Sequence, residues 1–142
     1  MKSVQVSDHL IDFYKDSVWV FANTTQIKPE LLNKLSESEI KYYVSESDYK
    51  YCEHRLPQLC KLFNGGEDCN CGEKEHGKMY QRFYNNAQTV FFRSERQRQD
   101  YKEALDLGST NTEILSALFT EEFFEKVEKL NAEYKDKKVD KW

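Results

Sequence analysis

The sequence predicts an all-α fold, a compact helical domain built around a central zinc-binding loop. Three observations lead there. Apolar residues recur at spacings of three and four along most of the chain, helix-start signals precede most of those runs, and all four cysteines fall within residues 52–76. At 142 residues the chain has the length of one domain, 1–142, with 52–76 as an embedded metal-binding segment.

Ser7 is placed to cap a first helix carrying Leu10, Ile11, Tyr14, Val18 and Phe21, although Ser17 to Phe21 also has the composition of a short strand. Pro29 suits the first turn of a second helix, where its missing N–H costs nothing, and Leu31, Leu32 and Leu35 form the buried side. Ser36 with Glu39 has the spacing of a capping box, and Ile40, Tyr43 and Val44 extend the apolar face. The next helix runs into the cysteine cluster with Cys52 and His54 at its start, Pro57 restricting where it can begin, and carries Leu56, Leu59, Cys60 and Phe63 to its end at Asn64-Gly65-Gly66, where glycine accepts the left-handed conformation.

Beyond Gly77, the spacing of Met79, Tyr80, Phe83, Tyr84, Ala87, Val90 and Phe91 predicts one wide helix face. Ser94 with Gln97 caps a helix running to Gly108, and Thr110 with Glu113 repeats the device before Ile114, Leu115, Leu118 and Phe119. A last helix begins at Thr120, with Glu121 and Glu122 at its positive end and Phe123, Phe124, Val127, Leu130 and Tyr134 as its buried positions.

The chemistry concentrates in 52–76, which offers six candidate ligands: Cys52, His54, Cys60, Cys69, Cys71 and His76. A structural Zn²⁺ takes four, through sulfur and imidazole nitrogen. The preferred set is Cys52, Cys60, Cys71 and His76, with Cys69 replacing one member in the nearest variant. Residues Met1 to His9 lack the apolar core of an export signal, so a cytoplasmic, reducing location is expected, and there clustered cysteines bind metal more often than they pair. Two disulfides or buried free thiols are the alternatives.

Several classes are set aside. No apolar run reaches the ~18 residues of a membrane span. Neither H-E-x-x-H nor a deaminase signature is present. Glu53, Glu67, Glu73 and Glu75 are close enough in sequence to serve as a base beside a catalytic metal, but glutamates on a solvated loop are commonplace. His9 reads as a surface or packing residue.

The segment from Leu59-Cys60-Lys61-Leu62-Phe63-Asn64-Gly65-Gly66 to Cys69, Cys71 and His76 resembles a Cys-Cys-Cys-His zinc finger. That resemblance implies binding of single-stranded RNA, with a base stacked on Phe63. A fainter likeness covers more of the chain. Phe91-Phe92-Arg93-Ser94-Glu95-Arg96-Gln97-Arg98-Gln99-Asp100-Tyr101, the apolar run 114–119 and Trp19-Val20-Phe21-Ala22-Asn23 are similar to a family of small helical proteins that includes a microsporidian ribosome-dormancy factor. It implies docking on ribosomes.

The net charge of −4 gives no global attraction to nucleic acid, so any attraction must be local. Between Lys78 and Lys102 six basic residues, Lys78, Arg82, Arg93, Arg96, Arg98 and Lys102, face only Glu95 and Asp100. Tyr80, Phe83, Tyr84, Phe91, Phe92 and Tyr101 are interleaved with them, and cations plus rings are what RNA contact uses. The expected function is therefore a non-enzymatic, zinc-stabilised protein that binds RNA or a ribonucleoprotein, the ribosome included, with Arg82, Arg93, Arg96 and Arg98 on phosphates. The second reading is a protein-interaction adaptor, viral ones included, using the metal loop and an acidic surface.

Overall fold

A computed structural model describes residues 6–115 and the helix 121–134. It is an α/β fold, not the all-α one expected: a four-stranded, fully parallel sheet in the order β1-β2-β3-β4, with helices between the strands. The strands are β1 (Trp19–Phe21), β2 (Tyr42–Ser45), β3 (Thr89–Phe92) and β4 (Thr112–Ile114). The helices are α1 (Asp8–Phe13), α2 (Pro29–Glu37), α3 (Pro57–Phe63), α4 (Glu75–Asn85), α5 (Glu95–Ala104) and α6 (Glu121–Tyr134).

All four strands lie where the sequence reading extended or began a helix. Each is three or four residues long, and Val18 to Phe21, Tyr42 to Val44, Val90 to Phe92 and Ile114 are apolar or aromatic runs that fit either period. Over so short a span, the spacing of three and four cannot be told from a buried strand; β-branched and aromatic content is the better guide. Thus α1 stops at Phe13, α4 stops at Asn85, and Thr110 with Glu113 leads into β4 rather than a helix. Nor is Ser36 a cap: it lies within α2, where its hydroxyl donates to the Leu32 carbonyl at 2.8 Å.

Other start and stop signals act as expected. Ser7 Oγ accepts from Leu10 N–H, Ser94 Oγ accepts from Gln97 N–H, Pro29 opens α2, and Gly65 and Gly66 end α3 at positive φ. The start of α3 differs: it begins at Pro57, whose ring suits a first helical turn, and Cys52 and His54 stay in the turn before it. The expected burial of Phe123, Phe124, Leu130 and Tyr134 lies outside the described side chains.

Each strand pairs with the next, Phe21 opposite Val44, Val44 opposite Val90 and Phe92 opposite Ile114. Successive right-handed crossovers in one direction put α2, α4 and α5 on one face of the sheet. Burial agrees: Phe21, Tyr42, Val44, Val90 and Phe92 point into the core, whereas Val20 on the opposite face is 70% exposed. Leu31, Leu32 and Leu35 of α2 and Met79, Tyr80 and Phe83 of α4 fill that core. Tyr42 stacks on Phe83 at 4.9 Å and donates its hydroxyl proton to the Phe83 carbonyl, so its polar tip is satisfied inside the apolar layer. Among the described residues no helix is long and apolar enough to cross a membrane.

Candidate metal centre

The long connection between β2 and α4 carries the four cysteines. Cys52 sits in a turn after β2, its N–H donating to the Tyr49 carbonyl and its carbonyl accepting from Arg55 N–H. Arg55 takes a left-handed φ of 57°, unusual for a residue with a Cβ, and its side chain ties back to Thr25 and to Asp48 at 3.3 Å. Cys60 lies in the middle of α3 and is the buried residue of that helix. Cys69 follows on the returning strand of chain, and Cys71 opens a 3-10 turn, Cys71–Glu73, that abuts α4.

The sulfurs of Cys52, Cys60, Cys69 and Cys71 lie within 4.8 Å of one another, with Cys60 and Cys71 3.7 Å apart. A tetrahedral ion with ~2.3 Å bonds to sulfur places its ligands roughly 3.8 Å apart, so this spacing fits a single four-coordinate metal. The four are separated by seven, eight and one residues, and all remain free thiols.

The thiols are not equivalent. Burial and the neighbouring cysteines push Cys60 and Cys69 up. Burial also works against a Cys71 thiolate, but the Glu53 backbone N–H and the surrounding thiols outweigh it and hold Cys71 below the usual thiol range. Cys71 is thus the thiol of the four whose deprotonation its surroundings favour, and a divalent ion bound there would replace thiol protons. Asn64 Nδ2 donates to Cys60 Sγ at 3.4 Å, a further N–H aimed at the sulfurs.

Neither histidine joins the four. His76 Nε2 lies 2.7 Å from the Lys50 carbonyl, which only accepts, so Nε2 carries the proton. That bond places His76 as a clamp between α4 and the loop leading to Cys52. His54 stacks on Phe63, ring centroids 4.9 Å apart, outside the cluster. The preferred ligand set thus exchanges His76 for Cys69. Imidazole and thiolate are equally plausible by sequence spacing, but only one of them points inward.

A buried polar network beneath the centre escaped the sequence reading. Glu46, fully buried, accepts from Ser47 N–H, from Lys50 Nζ at 2.5 Å and from the Tyr84 hydroxyl. Burial opposes the charge on Lys50, but Glu46 and Asp48 outweigh it and raise its pKa. Tyr101 accepts from Lys50 N–H and donates to the Asp48 carbonyl, pinning the same loop to α5. A charged pair four apart beside Asp48 was the available signal, yet it reads as a solvated turn until the tyrosines are seen to close over it.

In the basic segment, Tyr80, Phe83, Tyr84, Phe92 and Tyr101 are core residues and Phe91 is half-buried, so most of its rings pack inside. Lys78 lies 4.0 Å from Glu75, Arg96 bonds to Asp100 at 2.8 Å, and Arg98 bonds to Glu95. Arg82 reaches Asn33, while Arg93 and Lys102 are exposed with no ion pair among the described residues.

No family model, curated protein or solved structure matches the chain. Neither the zinc-finger likeness nor the ribosome-dormancy likeness gains support, and the cysteine cluster stands on its own geometry.

Proposed function

We propose that this is a non-enzymatic protein in which Zn²⁺, held by Cys52, Cys60, Cys69 and Cys71, clasps a projecting segment that engages a partner protein. Four convergent sulfurs, with no fifth donor among the described residues, favour zinc and a structural role, since a catalytic zinc keeps only three protein ligands and an open position.

The observation that carries the reading is the character of residues 53–68. This excursion leaves the body at Cys52 and returns at Cys69, and Cys60 anchors its middle. Its apolar residues point outward: Leu56, Leu59, Leu62 and Phe63 are all exposed, Leu62 at 72% and Phe63 at 68%. Leu59, Leu62 and Phe63 of α3, with Leu56 at its N-cap, fall at helical spacing into one stripe, bordered by Gln58 on one edge and by buried Cys60 on the other, with Lys61 opposite. A short helix with its apolar stripe in water, fixed through Cys60 by a metal, is built to be covered. Glu67, Asp68, Glu73 and Glu75 are exposed on the returning chain, with Lys74 the one base among them, so the fitting occupant is an amphipathic protein segment with basic flanks.

Replacing Leu62 and Phe63 with glutamine tests this. Capture of a stoichiometric protein partner by the parent chain, after nuclease treatment, is expected to disappear while metal content and thermal stability stay unchanged. Unchanged capture by the double variant would count against the stripe.

Arg93 and Lys102, exposed and without an ion pair among the described residues, with Arg82 and Lys78 along a groove beside Gln81, support an RNA or ribonucleoprotein partner as the second reading. It requires a salt-sensitive affinity for single-stranded RNA that falls when Arg82, Arg93 and Lys102 become alanine.

A further inference from the structure

Cys69 differs from the other three sulfur donors in one respect. Cys52, Cys60 and Cys71 are buried, whereas Cys69 is half-buried and lines a cavity of about 290 Å³ between α3 and α5. Gln58, Lys61, Arg96 and Asp100 form other parts of its wall. A water molecule takes up roughly 30 Å³, so a small oxidant fits there with room to turn. The two cations are held at the wall by Asp68 at 2.7 Å and by Asp100 at 2.8 Å, which keeps the cavity open on the polar side of α3, away from the apolar stripe.

We propose that Cys69 is an oxidation site of the metal centre, reached by hydroperoxides through this cavity, and that its modification expels the metal. Metal coordination keeps the sulfur deprotonated, and among thiolates in one cluster access decides which reacts first. The Cys69 sulfur attacks one peroxide oxygen. An S–O bond forms, the O–O bond breaks, and the departing hydroxide takes a proton to become water. Cys52 or Cys60 then displaces the second oxygen as hydroxide, which also leaves as water, and an S–S bond forms. Two thiolates have lost two electrons in all, and hydrogen peroxide has become two waters. Cys71 is a poor second partner, because a one-residue spacing strains a disulfide. With two of four donors consumed the metal dissociates, and the four-point clasp on the 53–68 excursion that presents Leu62 and Phe63 is reduced to one disulfide.

This inference rests on the metal-clasp reading, and the test separates the two. Metal content of the full chain is measured first by native mass spectrometry; a chain without metal overturns the clasp itself. Hydrogen peroxide is then added to the metal-loaded protein, release is followed with a zinc-sensitive dye, and oxidised cysteines are mapped at early times by alkylation and peptide mass. Cys69 is expected in the first oxidised peptides. Gln58→Trp, which fills the cavity mouth from an exposed helix position, is expected to slow release several-fold, and Gln58→Ala to leave it unslowed. Release from metal-loaded Gln58→Trp at the parent rate, or first oxidation at a cysteine other than Cys69, overturns the proposal while leaving the metal site standing.

Discussion

At the scale of single residues, the four sulfurs and the two histidines make opposite predictions. Cys60→Ser removes an inward donor from the middle of α3 and is expected to abolish stoichiometric zinc binding, with a large fall in melting temperature, because a structural zinc contributes ~10–16 kcal/mol of apparent binding energy at neutral pH. His76→Ala and His54→Ala are expected to keep one zinc per chain, since neither ring joins the cluster. Native mass spectrometry of the three variants decides it, and loss of metal from His76→Ala would restore the imidazole to the ligand set. The same residues fix a pH dependence. Cys60 and Cys69 are held above the ordinary thiol range by burial and by their neighbours, so both must release protons when metal binds near neutrality. Affinity therefore falls as pH falls, and a chelator competition run from about pH 8 to about pH 6 should show a slope of roughly two decades per pH unit or steeper.

Elements meet closely around this centre, and two glycines mark where. A Cβ on Gly77 would lie 2.1 Å from the Cys71 carbonyl oxygen, and one on Gly72 would lie 2.0 Å from the Ala104 carbonyl oxygen. The first contact is α4 against the 3-10 turn that carries Cys71, and the second is that turn against the end of α5. Backbone, rather than a pliable side chain, is in the way at both. Gly77→Ala is thus expected to cost about 1–3 kcal/mol and to weaken metal binding by moving Cys71, read by urea denaturation and by the chelator competition; a neutral result in both would mean that the turn shifts freely. Glu46 gives a second prediction on the loop that delivers Cys52. Glu46→Ala leaves Lys50 buried without its closest partner and is expected to cost about 3–5 kcal/mol, measured on metal-loaded protein so that clasp and network are separated. The sequence reading reached these elements unevenly. Proline and serine starts and glycine stops were legible because each acts through its own backbone: Pro29, Ser94 and Gly65 needed no tertiary context. The strands were not legible, because three or four mostly apolar residues such as Val90 to Phe92 carry no period of their own and become strands only by pairing with chain dozens of residues away.

Over the whole molecule, the same distinction separates what cysteine density revealed from what only folding could. Four sulfurs and two histidines within 25 residues announced a metal, but choosing among them required knowing that α4 turns His76 toward the Lys50 carbonyl. The rings of the basic segment looked like a stacking surface, yet the sheet claims most of them. Tyr42, Tyr80, Tyr84 and Tyr101 are buried, Tyr51 with them, and Tyr49 stacks on Tyr101 at its edge. That allocation carries a prediction for the molecule as a unit. Burial raises the pKa of all six tyrosines, with the Glu46 carboxylate adding to it at Tyr84 and Tyr101; Tyr49, which donates to Asp100 at 2.7 Å, is pushed up to about 12. The native state therefore holds these protons at pH values where the unfolded chain, with tyrosines near their ordinary value of about 10, has lost them. Their contribution to stability is fully present below that value and drains away as pH rises through it. Tyrosinate absorbance for these six should stay suppressed past pH ~10 and then appear in one step with the loss of tertiary circular dichroism, as the core gives way around its own hydroxyls. Six tyrosines titrating independently near their ordinary value, in a chain that keeps its tertiary signal, would mean that the rings are not packed beneath the sheet as the fold places them.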